Sequence, residues 1–453
     1  MQPGKVVGGA LSCGLALWLC ACIGYSPRPL ASGPALASDV SRLGVDVSRL
    51  RLRALKAHRF DPADGLDPTE VAVLAVLNSP DLAAKRAASK VAAAQAFSAG
   101  LLPDPQIALS ADFPVNPKGL VTAYGITPTI DLMALVTRST ALTAARASEK
   151  QVDLDLLWSE WSIAQQARQL AVTALGDEAK SAVLKVIDDG LTRRYRQSSL
   201  AYQRHDETAQ VNSVDLAAKL DADAQLALAL HDALKARGDL NALIGLAPGV
   251  RLDLVAGAPP VHLQPSELDA ALVSLPLRRP DLLALRAGYE AQSANLRKAI
   301  ISQFPLINLG FSRQRDTGAI LTNGVAATVV IPIFNRGRGV IAVQSASREQ
   351  LAREYQARLD QTVADVAIAR RDLAADQVNL ARLEPDVPRL VSMTDSAEAA
   401  YLRGDLDSAA SLALEESSLR EQAALLDLRL ALALADISLE TVLFLPSDES
   451  ARP

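Results

Sequence analysis

The sequence of 453 residues is poor in the residue types that build most catalytic and metal sites. Its three cysteines, Cys13, Cys20 and Cys22, all lie near the N-terminus, so the rest of the chain can hold neither a disulfide framework nor a cysteine metal site. Its four histidines are isolated, without the spacing of a zinc site. Because P-loop, GxSxG and strand-linked GxGxxG motifs are also lacking, we predict no enzyme activity, no cofactor and no metal.

Charged and aromatic residues are sparse as well. Charged residues are 21% of the chain and the net charge is −5, so the clustered basic face typical of nucleic-acid binding is not expected. Aromatic residues are only 4% although apolar residues reach 49%, which means that alanine and leucine carry the excess. This composition favours long, closely packed helices.

The N-terminus is typical of a secretory signal. A lysine precedes an apolar stretch at 6–19, which is too short to span a membrane as a helix. The sequence LCAC (19–22) resembles a bacterial lipobox, which implies cleavage before Cys22 and lipidation of its thiol. The alternative is an ordinary signal peptide that happens to contain cysteines. We predict a signal peptide over 1–21 and a lipid-anchored polar tether over 22–65.

The rest of the chain contains an internal duplication with an offset of about 200 residues. Four segments of the first half match four of the second in the same order: 78–96 with 278–296, 100–113 with 302–312, 125–132 with 329–336, and 201–207 with 400–406. A stretch rich in glycine and proline separates the halves. We predict a first repeat over 66–246, a linker over 247–264, a second repeat over 265–445 and a C-terminal tail over 446–453.

Each repeat has the same order of predicted elements. An alanine-rich helix (about 67–100 and 265–302) is followed by two short segments, a very long helix, a turn and a long return helix. The return helix of the second repeat, 411–445, has leucine spacing typical of coiled-coil packing.

The short segments alternate apolar residues with small or polar ones, which is typical of β-strands. They lie at about 105–113, 121–130, 305–313 and 324–334, near the length of about 9–11 residues that lets a tilted strand cross a bilayer. Strands in lipid must close into a barrel, and barrels begin at about eight strands. Four strands per chain would therefore require two or three copies. The alternative is a small soluble sheet on a helical protein.

Three motifs in this order resemble the TolC-type outer-membrane efflux family over about residues 66–445: RPDL opening a helix, QFPLINL entering a strand and VVIPIFNRG leaving one. The segment AGLLPDPQIALSADFP (99–114) is similar to the heavy-metal-exporter branch. The resemblance implies a mainly α fold with a small transmembrane β part. In it, a duplicated long-helix coiled-coil tunnel joins four strands per chain to a trimeric twelve-stranded barrel.

The resemblance also implies a function. Such a trimer is the exit duct of a tripartite efflux system in the outer membrane of a Gram-negative bacterium, with its helical tunnel in the periplasm. It conducts substrates passively, and its partners are a periplasmic adaptor, outer-membrane lipid and an inner-membrane transporter of the resistance–nodulation–division type.

Site residues carried over from the family fall first at the two junctions between barrel and helices. Asp131 and Asn335 are predicted N-caps of the long helices. The prolines lack a ladder donor, which a sheet tolerates near a strand end. Gly337 either allows a close approach or is a simple turn glycine. The junction residues are Pro128, Asp131, Pro332, Asn335 and Gly337.

A second group lies where the long helices reverse, at the tips that the family uses to contact the adaptor. His205 stands where the second tip has a glycine, which leaves the geometry of the first tip open. The matching residues are Tyr202, Arg204, His205 and Asp206 in one tip and Tyr401, Arg403, Gly404 and Asp405 in the other.

A third group is a possible periplasmic gate. The closed end of the tunnel is implied to carry acidic side chains, and the matching ones are Asp365, Asp372 and Asp376. The alternative is that these carboxylates make ordinary surface pairs with Arg370 and Arg371.

A rival function shares part of this pattern. A lipid-anchored periplasmic coiled-coil adaptor or scaffold would also need long helices and a lipobox. It would not need four bilayer-length strands in duplicated positions.

Overall fold

A computed structural model of the chain describes residues 25–115, 118–257 and 265–445. Cys22, the predicted signal peptide, the C-terminal tail and the linker residues 258–264 lie outside this part. The chain divides into two compact units, Met1–Leu36 and Ala37–Pro453. The described residues of the first unit, 25–36, contain no helix or strand, and every element named below belongs to the second unit.

Helices dominate the second unit, and proline marks several of their starts. Each predicted alanine-rich helix is in fact two helices, because proline disfavours the helical conformation in the residue before it and breaks the run at Pro80 and Pro280. The RPDL motif therefore opens a helix with its proline in the first turn. The helices are α1 Arg53–Ala57, α2 Pro68–Asn78, α3 Pro80–Ala99, α4 Leu132–Gln203, α5 Ala209–Ile244, α6 Pro265–Arg278, α7 Pro280–Ile301, α8 Arg338–Leu402 and α9 Ser408–Leu443.

Two helical hairpins, α4–α5 and α8–α9, form the long part of the unit. α4 has 72 residues and α8 has 65, so each is about 100 Å long at 1.5 Å per residue. The hairpins also touch each other, since Arg168 on α4 pairs with Glu440 on α9 at 2.5 Å and Lys180 pairs with Asp427 at 2.7 Å. The two repeats therefore pack as one body.

Four strands form one antiparallel sheet in the order β1-β2-β3-β4: β1 Gln106–Asp112, β2 Ala123–Asp131, β3 Leu306–Arg315 and β4 Leu321–Val330. The pairing of β2 with β3 joins the first repeat to the second. Each strand is within a few residues of its prediction. The largest difference is at the end of β4, which stops at Val330 because Pro332 cannot donate to the ladder.

The largest buried core lies where α2, the middle of α4 and the end of α5 meet. Leucines on both sides of these helices in the sequence join this core, and they are Leu43, Leu50, Leu52, Leu55, Leu66, Leu252 and Leu254. Much of the predicted tether and the first part of the predicted linker are therefore packed structure, because their leucines bury apolar surface.

None of the described helices is long and apolar enough to cross a membrane. No group of three or more His, Cys, Asp or Glu residues in that part of the chain is placed to hold a metal ion.

Candidate functional site

The register of the sheet sorts its side chains onto two different faces. One face is apolar across all four strands, with Ile107 opposite Pro128, Leu109 opposite Ile126, Ile130 opposite Leu309, Ile307 opposite Val329 and Phe311 opposite Val325. The other carries small or polar residues, with Ser110 opposite Gly125, Asn308 opposite Thr328 and Ser312 opposite Gly324.

Neither the apolar face nor the outer edges of the sheet are covered in the single chain. On the apolar face Leu109 is 74% exposed and Val325 is 92% exposed. Within the part of the chain that the structure describes, β1 and β4 each pair on one side only. An exposed apolar face and two unpaired edges both need a partner, because open edges invite pairing and large apolar patches mark interaction sites.

The first junction between sheet and helix is direct. β2 ends at Asp131, whose carboxylate accepts hydrogen bonds from the backbone N–H groups of Met133 at 2.8 Å and Ala134 at 3.0 Å. The prediction that Asp131 is the N-cap of α4 is thus confirmed.

A glycine that sequence reasoning missed supports this junction. A Cβ at Gly310 would lie 2.5 Å from the backbone oxygen of Pro128, so only glycine lets β3 approach β2 this closely. The available signal was a glycine inside an alternating strand segment.

The second junction contains an extra turn, and the N-cap prediction for Asn335 is wrong. α8 begins only at Arg338, and its N-cap is Gly337, with a φ of 68° and no side-chain cap. The Asn335 side-chain oxygen instead accepts a hydrogen bond from the Gly337 N–H at 3.0 Å, which closes the turn before the helix. Gly337 is needed for its left-handed φ, since the nearest atom to a Cβ there is 4.0 Å away. Pro332 lies in the same connection.

The two helix tips have the same backbone geometry. In the first, Asp206 N–H donates to Ala201 O and His205 N–H to Tyr202 O, at 2.9 and 3.0 Å. In the second, Asp405 donates to Ala400 O and Gly404 to Tyr401 O, both at 2.9 Å. His205 has a φ of 66° and Gly404 a φ of 83°, so His205 adopts the left-handed turn that the glycine adopts.

Most tip side chains are open to solvent. Tyr202, Arg204, His205 and Asp206 are exposed, as are Arg403, Gly404 and Asp405. Tyr401 is the exception, because the guanidinium of Arg194 lies 5.0 Å from its ring centre. The two tips therefore differ in side chains more than in backbone.

Arg194 is the centre of a buried charge cluster near the tips that sequence reasoning also missed. Its side chain is 8% exposed and lies 3.0 Å from Asp215 on α5 and 3.6 Å from Glu415 on α9. Burial raises the pKa of Glu415, and the nearby Arg194 opposes this shift. A half-open groove of about 480 Å³ between α4, α8 and α9 runs beside this cluster. No feature of the sequence indicates that this charge cluster forms near the helix ends.

The three acidic residues predicted as a gate lie in the middle of α8, far from the tips and from the Arg194 cluster. Asp365, Asp372 and Asp376 are 26 to 37 residues before the end of α8, which places them about 40–55 Å from the tip along the helix axis. Asp365 accepts a hydrogen bond from Gln361 at 2.6 Å and Asp372 pairs with Arg371 at 3.1 Å. The matched segment thus lies in the middle of a 65-residue helix rather than at its tip, and the assignment of these residues to a gate stays a prediction.

Solved structures with the same architecture are outer-membrane channels. CusC, studied for folding and transmembrane channel formation, has a TM-score of 0.70 and 16% identity, covering 93% of this chain and 98% of that chain. The Campylobacter jejuni CmeC channel has a TM-score of 0.70 and 14% identity, covering 94% and 96%. The open state of the Neisseria gonorrhoeae MtrE channel has a TM-score of 0.69 and 17% identity, covering 96% and 100%.

No family model and no curated protein matches the chain. The structural matches, at these low identities, establish the fold, and they cover nearly the full length of each neighbour. The predicted fold class is therefore confirmed for the single chain as the long-helix, four-strand fold of TolC-type outer-membrane channels. The neighbours are channels rather than enzymes.

Proposed function

We propose that three copies of this chain form the exit duct of a tripartite efflux system in the outer membrane of a Gram-negative bacterium. The duct conducts substrates passively from a periplasmic adaptor and an inner-membrane transporter, of the resistance–nodulation–division type, to the exterior. Lipidation of Cys22 adds an accessory anchor.

The observation that carries this proposal is the two-faced sheet with open edges. Its strands alternate in direction and are even in number, so β4 of one copy can pair antiparallel with β1 of the next. Three copies give twelve strands, enough to enclose a water-filled lumen. The apolar face then contacts lipid and the small, polar face lines the lumen.

The helical hairpins supply the periplasmic part of the duct. They leave the sheet at the end opposite its two hairpin loops, and their tips lie about 100 Å from it along α4 and α8. A separate protein in the periplasm can reach the exposed tip residues, and we assign adaptor contact to Tyr202, Arg204, His205, Asp206, Arg403, Gly404 and Asp405. We assign Tyr401 to the same surface through its contact with Arg194.

The rival function, a lipid-anchored periplasmic adaptor or scaffold, leaves the sheet without a role. Such a protein would expose Leu109 and Val325 to water in every copy. It would thereby lose the stabilisation of about 25 cal/mol per Å² that burial of apolar surface provides. The lipid anchor alone gives the rival protein its membrane attachment.

Two measurements on the full chain decide between these functions. Purified protein added to a planar bilayer is expected to give stepwise conductance with a trimer mass in detergent. A Cys22→Ser variant is expected to remain with the outer membrane and to need detergent for extraction. If the variant becomes freely soluble and the wild type gives no conductance, the duct proposal fails and the anchored scaffold is supported.

A further inference from the structure

Two arginines lie on the apolar face of the sheet, at the end of β3 away from the helices. Arg313 and Arg315 continue the series Ile307, Leu309 and Phe311, because alternate residues of a strand share a face. Their neighbours across the ladder are Ile126 and Asn323 for Arg313, and Tyr124 and Leu321 for Arg315. Charge thus begins where the apolar band ends.

Among the described residues, no carboxylate forms an ion pair with either of these two cations. The strand residues that share this face include no aspartate or glutamate. Within the described residues neither arginine makes an ion pair, and Arg313 is exposed. The nearby carboxylate of Asp316 accepts the backbone N–H of Ile320 at 2.9 Å, so it serves the loop. The described residues thus supply no counter-charge to either arginine.

The fold itself does not require the two arginines. In the duplicated strand, the alignment of Pro305 with Pro103 sets Ala111 and Phe113 at the positions of Arg313 and Arg315. β1 forms the same kind of antiparallel ladder with the uncharged Ala111 opposite Tyr124, and Phe113 follows directly after the end of the strand. The charges in the second repeat are an addition to the strand.

We propose that Arg313 and Arg315 bind the phosphate groups of the phosphorylated glycolipid in the outer leaflet. This inference rests on the proposed function, which puts the apolar face in lipid and the hairpin loops at the outer surface. Guanidinium groups match phosphate oxygens in a bidentate geometry that a lysine cannot reproduce. Tyr124, 46% exposed beside Arg315, is the type of aromatic residue that lies at headgroup level. Three copies form a ring of such sites around the barrel.

The test measures binding of purified lipid A to the detergent-solubilised full chain by native mass spectrometry. The double variant R313Q/R315Q is expected to bind lipid A at least about tenfold more weakly, because it lacks two cations that attract the anionic headgroup. R313K/R315K keeps both charges but loses the planar guanidinium groups. Its affinity for lipid A is therefore expected to lie between the affinities of the wild type and R313Q/R315Q. The matched control R353Q/R371Q removes two exposed arginines of α8, far from the sheet, and is expected to bind like the wild type.

Two further arms use the wild-type chain and need no folded variant. Lipid A with both phosphates removed is expected to bind the wild type as weakly as intact lipid A binds R313Q/R315Q. In 1 M NaCl, binding of intact lipid A to the wild type is expected to weaken, because charges are then screened within about 3 Å. Inorganic phosphate at the same concentration is expected not to compete. Equal binding of the dephosphorylated lipid, or full competition by inorganic phosphate, would overturn the inference.

Conductance in a planar bilayer separates this inference from the function on which it rests. If the wild type and R313Q/R315Q both conduct but bind lipid A equally, only the phosphate site is refuted. If the wild type neither conducts nor forms a trimer, the proposed function is refuted first. A changed ion selectivity in R313Q/R315Q with unchanged lipid A binding would place the arginines in the lumen and would also refute the site.

Discussion

At the scale of single residues, His205 adopts a backbone conformation that is unfavourable for its residue type. A left-handed conformation costs an L-residue other than glycine roughly 1–2 kcal/mol, and His205 adopts it at a φ of 66° where the other tip has Gly404. The two turns therefore share a backbone geometry that suits glycine better than histidine. The histidine side chain is exposed at the proposed adaptor surface.

Replacing this histidine is expected to tighten its tip. His205→Gly should stabilise the turn by about 0.5–1 kcal/mol, because the strain of the left-handed residue is removed while glycine adds chain entropy to the unfolded state. Hydrogen exchange of the Asp206 amide, which donates to Ala201 O, would report the change as slower exchange. Gly404→Ala is the matched control and should speed exchange of the Asp405 amide; the opposite sign at either tip would contradict the strain argument.

Glu415 gives the tip region a pH dependence whose sign follows from its burial. Burial raises the pKa of Glu415 despite the opposing effect of Arg194, with Glu398, Asp215 and Glu416 adding to the rise. The folded chain thus holds this proton more tightly than the unfolded chain, whose carboxyl titrates near 4.5. The resulting penalty is absent below that value, grows as the pH rises through the raised pKa, and is complete above it.

Glu415→Gln should remove this penalty. The variant is expected to match the wild type near pH 4 and to be more stable at pH 7.5, by less than about 1 kcal/mol because Arg194 loses one acceptor. Urea unfolding at several pH values measures the difference. Glu354→Gln, an exposed change on α8, should leave the pH profile unchanged. A Glu415→Gln variant that is less stable at pH 7.5 would show that the pair with Arg194 outweighs burial.

At the scale of elements, the contact of β2 with β3 depends on a missing side chain. Gly310→Ala would bring its Cβ to 2.5 Å from Pro128 O and 2.6 Å from a Thr129 methyl group. The backbone oxygen cannot rotate away, so we expect a loss of about 1–3 kcal/mol, typical of an overpacked site. Denaturant titration of the assembled protein would measure it. Gly324→Ala, whose Cβ would meet only the Ser312 hydroxyl at 3.2 Å, should cost less; equal losses would argue against the backbone clash.

The sequence could predict the elements because their signals are local. Alternating residues located all four strands, whereas the helix breaks at Pro80 and Pro280 were not predicted. The two junctions show the limit of such signals. Asp131 follows its strand directly and caps α4, whereas Asn335 is separated from α8 by a turn with two positive φ angles, at Arg336 and Gly337. A matching motif did not reveal this insertion.

The parts of the site that escaped prediction depend on contacts between distant elements. Arg194 is one of many charged residues on α4, and its spacing does not show that it faces Asp215 and Glu415 on two other helices. Gly310 could be suspected from its strand, but its need for glycine comes from the backbone of β2. The acidic residues assigned to the gate lie in the middle of α8, and their role as a gate stays a prediction.

At the scale of the whole molecule, the open edges of the sheet allow a direct test of assembly. The chain has no cysteine after Cys22, so a Cys22→Ser background can carry new cysteines at Ala108 on β1 and at Ala326 or Thr328 on β4. Oxidation is expected to link copies into covalent dimers and trimers on a non-reducing gel, because neighbouring strands lie about 4.7–4.9 Å apart. Each single cysteine alone should give no trimer. Linkage within one chain, or none in any pair, would contradict closure between copies.

The pairing of β2 with β3 also sets the order in which the molecule can fold. These strands are separated in the chain by α4, α5, α6 and α7, so the β1–β2 hairpin leaves the ribosome long before its partner strand exists. An isolated hairpin is marginally stable at best, and contacts between distant residues slow folding. The sheet is therefore expected to be the last part to form, after both helical hairpins. Until then its apolar strands are the segments most exposed to aggregation.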